Sequence, residues 1–227
     1  MITRIKAADG NRDNSPQLRR HQDLADFIME NEAGFNGSIL DVGCGTGHLA
    51  QLLRKSGFGD IHGADWNDPA VIVPGALSSF KQINLNDQTL EDEIDSKFDI
   101  IICSDTLEHL ERPAKVMRSM RRLLKDTGSI YVTIPNGMNF FQRLSWLVSG
   151  NSYRYRTEKP GEFGHISLFP SAVMTTLLNR AGLKCTKTGR GFAAMAGFIT
   201  TKGIKLGHSW SYACYYQFKP NGNPPMN

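Results

Sequence analysis

The sequence has no apolar run approaching the roughly 18 residues that a membrane-crossing helix needs, and it has no internal repeat or low-complexity tract. Neither a transmembrane protein nor a solenoid is expected. Its opening, MITRIKAADGNRDNSPQLRR, carries no apolar core and no small-residue cleavage pattern. A secretory signal is therefore not expected, and the cytoplasm is the default location. Cysteine is scarce: Cys44, Cys103, Cys185 and Cys214 lie far apart, without CxxC or CxxH pairing. In a chain long enough to bury a core without staples they read as reduced thiols. Charge excess is missing too. A net charge of +4 over 227 residues is small for a nucleic-acid binder, which concentrates Lys and Arg on one face. The nearest candidate, Arg118, Arg121, Arg122 and Lys125, would share one side of a helix and reads as a solvated face.

What is present is one domain of alternating strand-like and helix-like patterns. Leu24, Phe27 and Ile28 give a helical stripe, and SIL then opens a short apolar strand. Leu49, Leu52 and Leu53 follow at helical spacing, stopped by Gly57. DIHGAD reads as a strand, KQINL as another after a Pro-interrupted connection, and TLEDEIDS as a short helix. FDIIIC is apolar apart from Asp99, suited to the middle of a sheet covered on both faces. Val116, Met117, Met120, Leu123 and Leu124 mark a helix ending near Gly128, and SIYVTIP returns as a strand. From Asn136 to Phe169 the regularity breaks into a long insertion, the kind of stretch that carries function. PSAVMTTLLNRAGL resumes a helix, while KCTKTGR and SYACYYQF read as late strands. The expected organisation is a helical segment and lid over 1–36, a main domain over 37–219 with an acceptor-side insertion at about 137–169, and a disordered tail over 220–227. Such alternation implies a parallel sheet with helices on both faces and a ligand site outside the carboxyl ends of the strands.

One such end is ILDVGCGTGHLA. A dinucleotide fingerprint would need GxGxxG, but counting from Gly43 the third glycine position holds His48. Asp41, moreover, stands where a pyrophosphate would want positive charge. The pattern is DxGxGxG, with Gly43, Gly45 and Gly47 forming a turn that allows close backbone approach, before a helix end that favours an anion. An acid beside an anion-binding helix end suits a ligand with an ammonium, a carboxylate and a sulfonium. S-adenosylmethionine is such a ligand. Asp65, eighteen residues after Gly47 at the end of the next strand, is placed to accept both ribose hydroxyls.

ILDVGCGTG, GADWN and FDIIICSDTLEHLERP follow the order and spacing of class I S-adenosylmethionine-dependent methyltransferases, a resemblance that covers roughly residues 37–183. SDTLEHLERP and YVTIPN resemble in particular the bacterial small-molecule branch with LEH and VPN-type motifs. GHISLFPSAVMTTLLNRAGL resembles that branch's later HxRxF signature, with Ser167 in place of the arginine. The resemblance implies an α/β, Rossmann-like, doubly wound and mostly parallel seven-stranded sheet with one late antiparallel strand and helices on both faces. It implies that Asp41, Gly43, Gly45 and Gly47 hold the methionine end of the cofactor, Asp65 the ribose and Trp66 one adenine face. Asn84 would accept from the adenine amine with Leu85 beneath the ring, and Ser104 would line the methionine end.

Methyl transfer is an in-line displacement, so positioning dominates, and a base matters when the acceptor is a hydroxyl. His109, in DTLEHL, is the candidate base. Asp105, Glu108 and His109 form DxxEH, similar to the ExxEH metal site of some quinone-precursor and small-RNA methyltransferases, with His165 a distant fourth ligand. Mg²⁺, Mn²⁺ or Zn²⁺ would suit such donors. Many relatives carry LEH without metal, and the reading carried forward assigns no metal ligand. Tyr153, Arg154, Tyr155, Arg156 and Lys159 in the insertion are candidate acceptor contacts, and Arg20 and His21 candidate lid residues. The leading expectation is a cytoplasmic O-methyltransferase of a sugar, lipid-linked or quinone-type precursor, a monomer or homodimer that neither inserts in a membrane nor binds nucleic acid. A catalytically silent S-adenosylmethionine-binding module partnering a biosynthetic enzyme is the alternative, and an RNA methyltransferase the third reading.

Overall fold

The structure, a computed structural model, describes residues 16–150, 164–190, 194–195, 199–200, 211 and 213–226. Helix α1 (Pro16–Asn31) buries Leu24, Ala25 and Ile28 at helical spacing. Strand β1 (Ser38–Val42) runs into the glycine turn, and helix α2 (His48–Lys55) leaves it, burying Leu49, Ala50 and Leu53. Then follow β2 (Asp60–Asp65), β3 (Ser79–Gln82), the single helical turn α3 (Leu90–Glu93) and β4 (Phe98–Ser104). A 3₁₀ turn at Leu107–His109 precedes α4 (Pro113–Leu123), which starts with proline at its first position, where a missing N–H costs nothing. Strand β5 (Leu124–Pro135), helices α5 (Phe140–Ser149) and α6 (Ser171–Arg180), and strands β6 (Leu183–Arg190), β7 (Ala194–Met195), β8 (Ile199–Thr200) and β9 (Ala213–Pro220) complete the described elements.

Seven strands form one sheet in the order β3-β2-β1-β4-β5-β9-β6, while β7 and β8 pair as a separate ribbon. The sheet is parallel except for β9, which slots antiparallel between β5 and β6. Strand alternation then makes two cores. Leu40, Ile101, Cys103 and Val132 face one side with Met117 and Met120 of α4 and Met174 and Leu178 of α6. Ile39, Ile100, Ile102 and Tyr131 face the other with Leu24 and Ile28 of α1 and Leu49 and Leu53 of α2. Covered on both faces, β4 reads as a nearly continuous apolar run, with Ile100, Ile101, Ile102 and Cys103 buried between a half-buried Asp99 and Ser104. The strand order reverses between β1 and β4, so their carboxyl ends flank the crevice where ligands of such sheets bind.

Several expectations are corrected. The third strand lies earlier than KQINL, at Ser79–Gln82. The helix expected to end near Gly128 stops at Leu123, because Leu124 already pairs with Phe98 and Lys125 donates to Asp99. The insertion contains a helix, α5, capped by Asn139, whose side chain accepts from the Gln142 N–H. The end of the chain, expected to be disordered, lies along α6 and β6: Asn221 N–H donates to Gly182 O, and Met226 N–H to Arg180 O. The basic helix face is not a free patch either, since Arg121 pairs with Asp126, Arg122 with Glu91 and Lys125 with Asp99.

Candidate active site

A cavity of about 590 Å³ opens at the carboxyl ends of β1, β2 and β4. Its wall includes Gly43, Gly45, Asp65, Trp66, Asn84, Leu85, Ser104 and His109, eight residues the sequence had singled out. Asp41 and Gly47 do not line it. Gly47 instead serves as the cap residue of α2, at φ 85°. Asp41 is 2% exposed and sits behind the turn, where burial, and secondarily the charge of Asp65, pushes its carboxyl up to about 7. Asp41, read from the sequence as holding the methionine end, thus lies behind the cavity wall rather than on it.

The turn is built around Asp65. Its Oδ2 accepts from the Gly45 N–H at 2.7 Å and its Oδ1 from the Asn67 N–H at 3.0 Å. One buried carboxylate thus ties the glycine turn to the end of β2. At Gly43 the backbone has φ 73°, and a Cβ there would lie 2.2 Å from Thr106 Oγ1, so the turn closes against the loop after β4 only if this residue has no side chain. A Cβ on Gly45 would meet nothing within 4 Å, so backbone there faces open space. Trp66 is 55% exposed at the rim of the cavity. Asn84 is partly committed: its Oδ1 accepts from Asn86 N–H at 3.1 Å and its Nδ2 donates to Asp87 at 2.6 Å. An adenine amine would use the remaining lone pair of that oxygen.

At the other wall Ser104 Oγ and Thr133 Oγ1 lie 2.9 Å apart. His109 Nδ1 is 3.0 Å from Gly164 O. A carbonyl can only accept, so Nδ1 carries a proton, and in the neutral ring the lone pair is on Nε2. The LEH turn is also held by the later motif, because Ile166 and Ser167 N–H groups both donate to Glu108 O. That docking brings His165 against His109, ring centroids 4.9 Å apart, and ligating atoms of Glu108, His109 and His165 all lie within 4.8 Å of one another. Asp105, the expected first member of a DxxEH metal set, is not in that group. It takes an unusual φ of 47° and accepts from Arg20 Nε at 2.5 Å.

Helix α1 thereby closes over the pocket. His21 lines the cavity beside Asp105, and burial lowers its imidazole to about 4 against the opposing pull of Asp105. It is neutral near pH 7. Cys44, also on the wall, has its thiol pushed far up by burial and by Asp41 and Asp65, so it offers no thiolate nucleophile. Sequence reasoning missed Thr106, His48, Asn67, Ile83 and Leu110 on the wall. Only His48, the first residue of a helix after glycines, had a legible signal. Tyr153, Arg154, Tyr155, Arg156 and Lys159 lie outside the described residues.

Residues 17–188 match the family model of a methyltransferase domain, and the chain belongs to that family. Among curated relatives, the ubiquinone biosynthesis O-methyltransferase of Sodalis glossinidius (strain morsitans) is 32% identical over 117 residues, 49% of this chain and 47% of that protein. The protein of the same name from Coxiella burnetii (strain Dugway 5J108-111) is 27% identical over 150 residues, 64% of this chain and 63% of its own length. The matches thus span from about half to under two thirds of these relatives. Among solved structures, magnesium protoporphyrin IX methyltransferase from Synechocystis PCC 6803, crystallised with bound S-adenosylhomocysteine, superposes with a TM-score of 0.60 at 16% identity, covering 92% of this chain and 89% of that one. A possible histamine N-methyltransferase from Thermotoga maritima gives 0.62 at 16% identity, covering 89% and 91%. These two likenesses establish the fold.

Proposed function

We propose that the protein is a cytoplasmic S-adenosylmethionine-dependent methyltransferase that methylates an oxygen of a small molecule. The observation that carries this reading is the single cavity that joins the Gly43–Gly45 turn, the Asp65 carboxylate and Trp66 to an imidazole with its lone pair free for chemistry. Its volume of about 590 Å³ falls in the range of small-molecule sites. The names of the curated relatives favour a quinone-type precursor over a sugar as the acceptor. A small acceptor also suits a net charge of only +4 better than RNA does.

The cofactor fits the site on the chain's own features: open space over Gly45, a buried acid in reach of ribose hydroxyls and an exposed indole for a purine. When bound, S-adenosylmethionine supplies a methyl carbon made electrophilic by its sulfonium. Asp65 orders the turn and accepts from the ribose. Trp66 would cover one purine face, Leu85 would lie beneath it and Asn84 would accept from the amine. Ser104 borders the methionine end. His109, its Nδ1–H held by Gly164 O, would take the acceptor's hydroxyl proton on Nε2 as the methyl leaves the sulfonium for the acceptor oxygen, with S-adenosylhomocysteine as the leaving group. Helix α1, latched by Arg20 on Asp105, keeps water from the transfer.

Calorimetric titration with S-adenosylmethionine and S-adenosylhomocysteine, with NAD as control, tests the cofactor half of the proposal. Release of S-adenosylhomocysteine with catechol-type acceptors tests the other half. Binding without turnover on any acceptor would leave a silent cofactor-binding module. Replacing Asp65 with alanine should weaken S-adenosylmethionine by about 1–3 kcal/mol, the cost of leaving such groups unpaired. Unchanged affinity would refute the ribose assignment.

Asp41 makes affinity depend on pH. Its free-protein pKa is about 7, and a nearby cation favours its charged form, so binding releases protons near neutrality. Affinity should therefore rise as pH increases towards 7 and flatten above it. Asp41→Asn should abolish that slope, as read by titration in buffers of differing ionisation enthalpy. For the empty protein the sign is reversed. The unfolded chain ionises this acid first, so its contribution to stability is present at low pH and is lost as pH rises towards 7.

A second reading rests on the cluster of Glu108, His109 and His165. A carboxylate and two imidazoles converging this closely suit a divalent cation, which would polarise the acceptor hydroxyl in place of a base. Activity that vanishes on chelation and returns with Mg²⁺, Mn²⁺ or Zn²⁺ would favour it over the base.

A further inference from the structure

Thr133 of β5 is 1% exposed, in a stretch where Ile130, Val132 and Ile134 are buried as well. A valine would fill the same space, so the hydroxyl has to be accounted for by its bonds. It uses every bond a hydroxyl can make. Its oxygen accepts from the Asp105 N–H at 3.1 Å, and its proton goes to Asp105 Oδ1 at 3.3 Å. The remaining lone pair faces Ser104 Oγ at 2.9 Å, and with the threonine proton already given, Ser104 must be the donor. The Thr133 carbonyl accepts from the same Asp105 N–H at 3.2 Å. One residue thereby fixes two consecutive members of the cavity wall, Ser104 and Asp105.

Asp105 is where that grip matters. It is the only described residue other than glycine with a positive φ, 47°, a conformation that persists only where its surroundings impose it. Held so, its other carboxylate oxygen accepts from Arg20 Nε at 2.5 Å, in a pair whose side chains are 15% and 14% exposed and so little screened by salt. The bonds run without a break from β5 through Asp105 to α1.

We infer that Thr133 is a positioning residue: by holding Asp105 in its left-handed conformation it sets the catch on which Arg20 closes α1 over the cavity. Thr133 does not line the cavity itself and acts through Asp105. The inference deepens the proposed function, on which it rests for what the closed cavity retains.

Amide exchange of the empty protein, read by mass spectrometry on peptides of α1, tests the catch without any ligand. Thr133→Val keeps the volume and loses the hydroxyl. It should speed exchange across residues 16–23 at least about fivefold while peptides of β6 exchange as in the wild type. Thr133→Ser keeps the hydroxyl and should bring α1 back to within about twofold of the wild-type rate. Release of radiolabelled S-adenosylhomocysteine into an excess of unlabelled compound should be at least about tenfold faster in Thr133→Val and in Arg20→Gln, and no faster in the double variant than in the faster single one, since both open the same catch. Exchange of α1 unchanged in Thr133→Val, exchange quickened equally throughout the chain, or release rates that multiply in the double variant would overturn the inference. Local opening of α1 in a protein that binds no cofactor would support the catch and refute the proposed function instead.

Discussion

His109→Ala is expected to lower kcat by about 10²–10⁴-fold, the usual contribution of a positioned acid or base. Cofactor affinity should stay within a few-fold, because His109 is assigned to the acceptor's proton. The imidazole is suited to the task by its wiring: Gly164 O holds a proton on Nδ1, so the neutral ring carries its lone pair on Nε2. A pH profile of kcat/KM that loses its acidic limb in His109→Gln would support the base. Collapse of thermal stability and cofactor affinity in step with activity would instead make His109 a packing residue that holds the 164–169 segment in place.

Gly43→Ala is the second large effect. The added Cβ would meet Thr106 Oγ1 at 2.2 Å, Cγ2 at 2.5 Å and Cβ at 2.9 Å, and φ 73° is costly for any residue with a side chain. Backbone strain alone accounts for about 1–3 kcal/mol, to which the overlap adds. We expect at least about a hundredfold loss of S-adenosylmethionine affinity together with a lowered Tm. Thr106→Gly in the same chain should restore part of both, since it removes the overlap and leaves the strain; the double-mutant coupling measures the contact between the turn and the loop after β4. Unchanged affinity in Gly43→Ala would mean that the turn does not need to close as it does here.

The particular residues explain why the sequence revealed so much of the fold. Strand β4 is legible because a strand covered on both faces keeps its polar side chains, Asp99 and Ser104, to its ends, and β1 because it ends in glycines whose spacing has few uses. The cofactor-side wall was legible for the same reason: Asp65 and Trp66 follow a strand end at fixed distance from the turn. What was hidden depends on partners far away in sequence. Arg20 meets Asp105 across 85 positions, and His109 meets Gly164 across 55. No local period records such pairings, so Asp105 was offered as a metal ligand when its partner is a lid arginine. Helix α5 was missed because apolar residues facing solvent remove the contrast by which a surface helix is recognised.

The insertion is fastened at both ends. On one side Asn136 Nδ2 donates to Ser211 O and Asn139 caps α5; on the other, Gly164, Ile166 and Ser167 are pinned to the LEH turn. None of these ties reaches the glycine turn or Asp65. A change between those fastenings therefore has no path through these bonds to the cofactor wall. Chimeras that exchange residues 151–163 and keep both sets of fastenings should hold this protein's S-adenosylmethionine affinity within a few-fold, and a larger loss would show that the two regions are coupled.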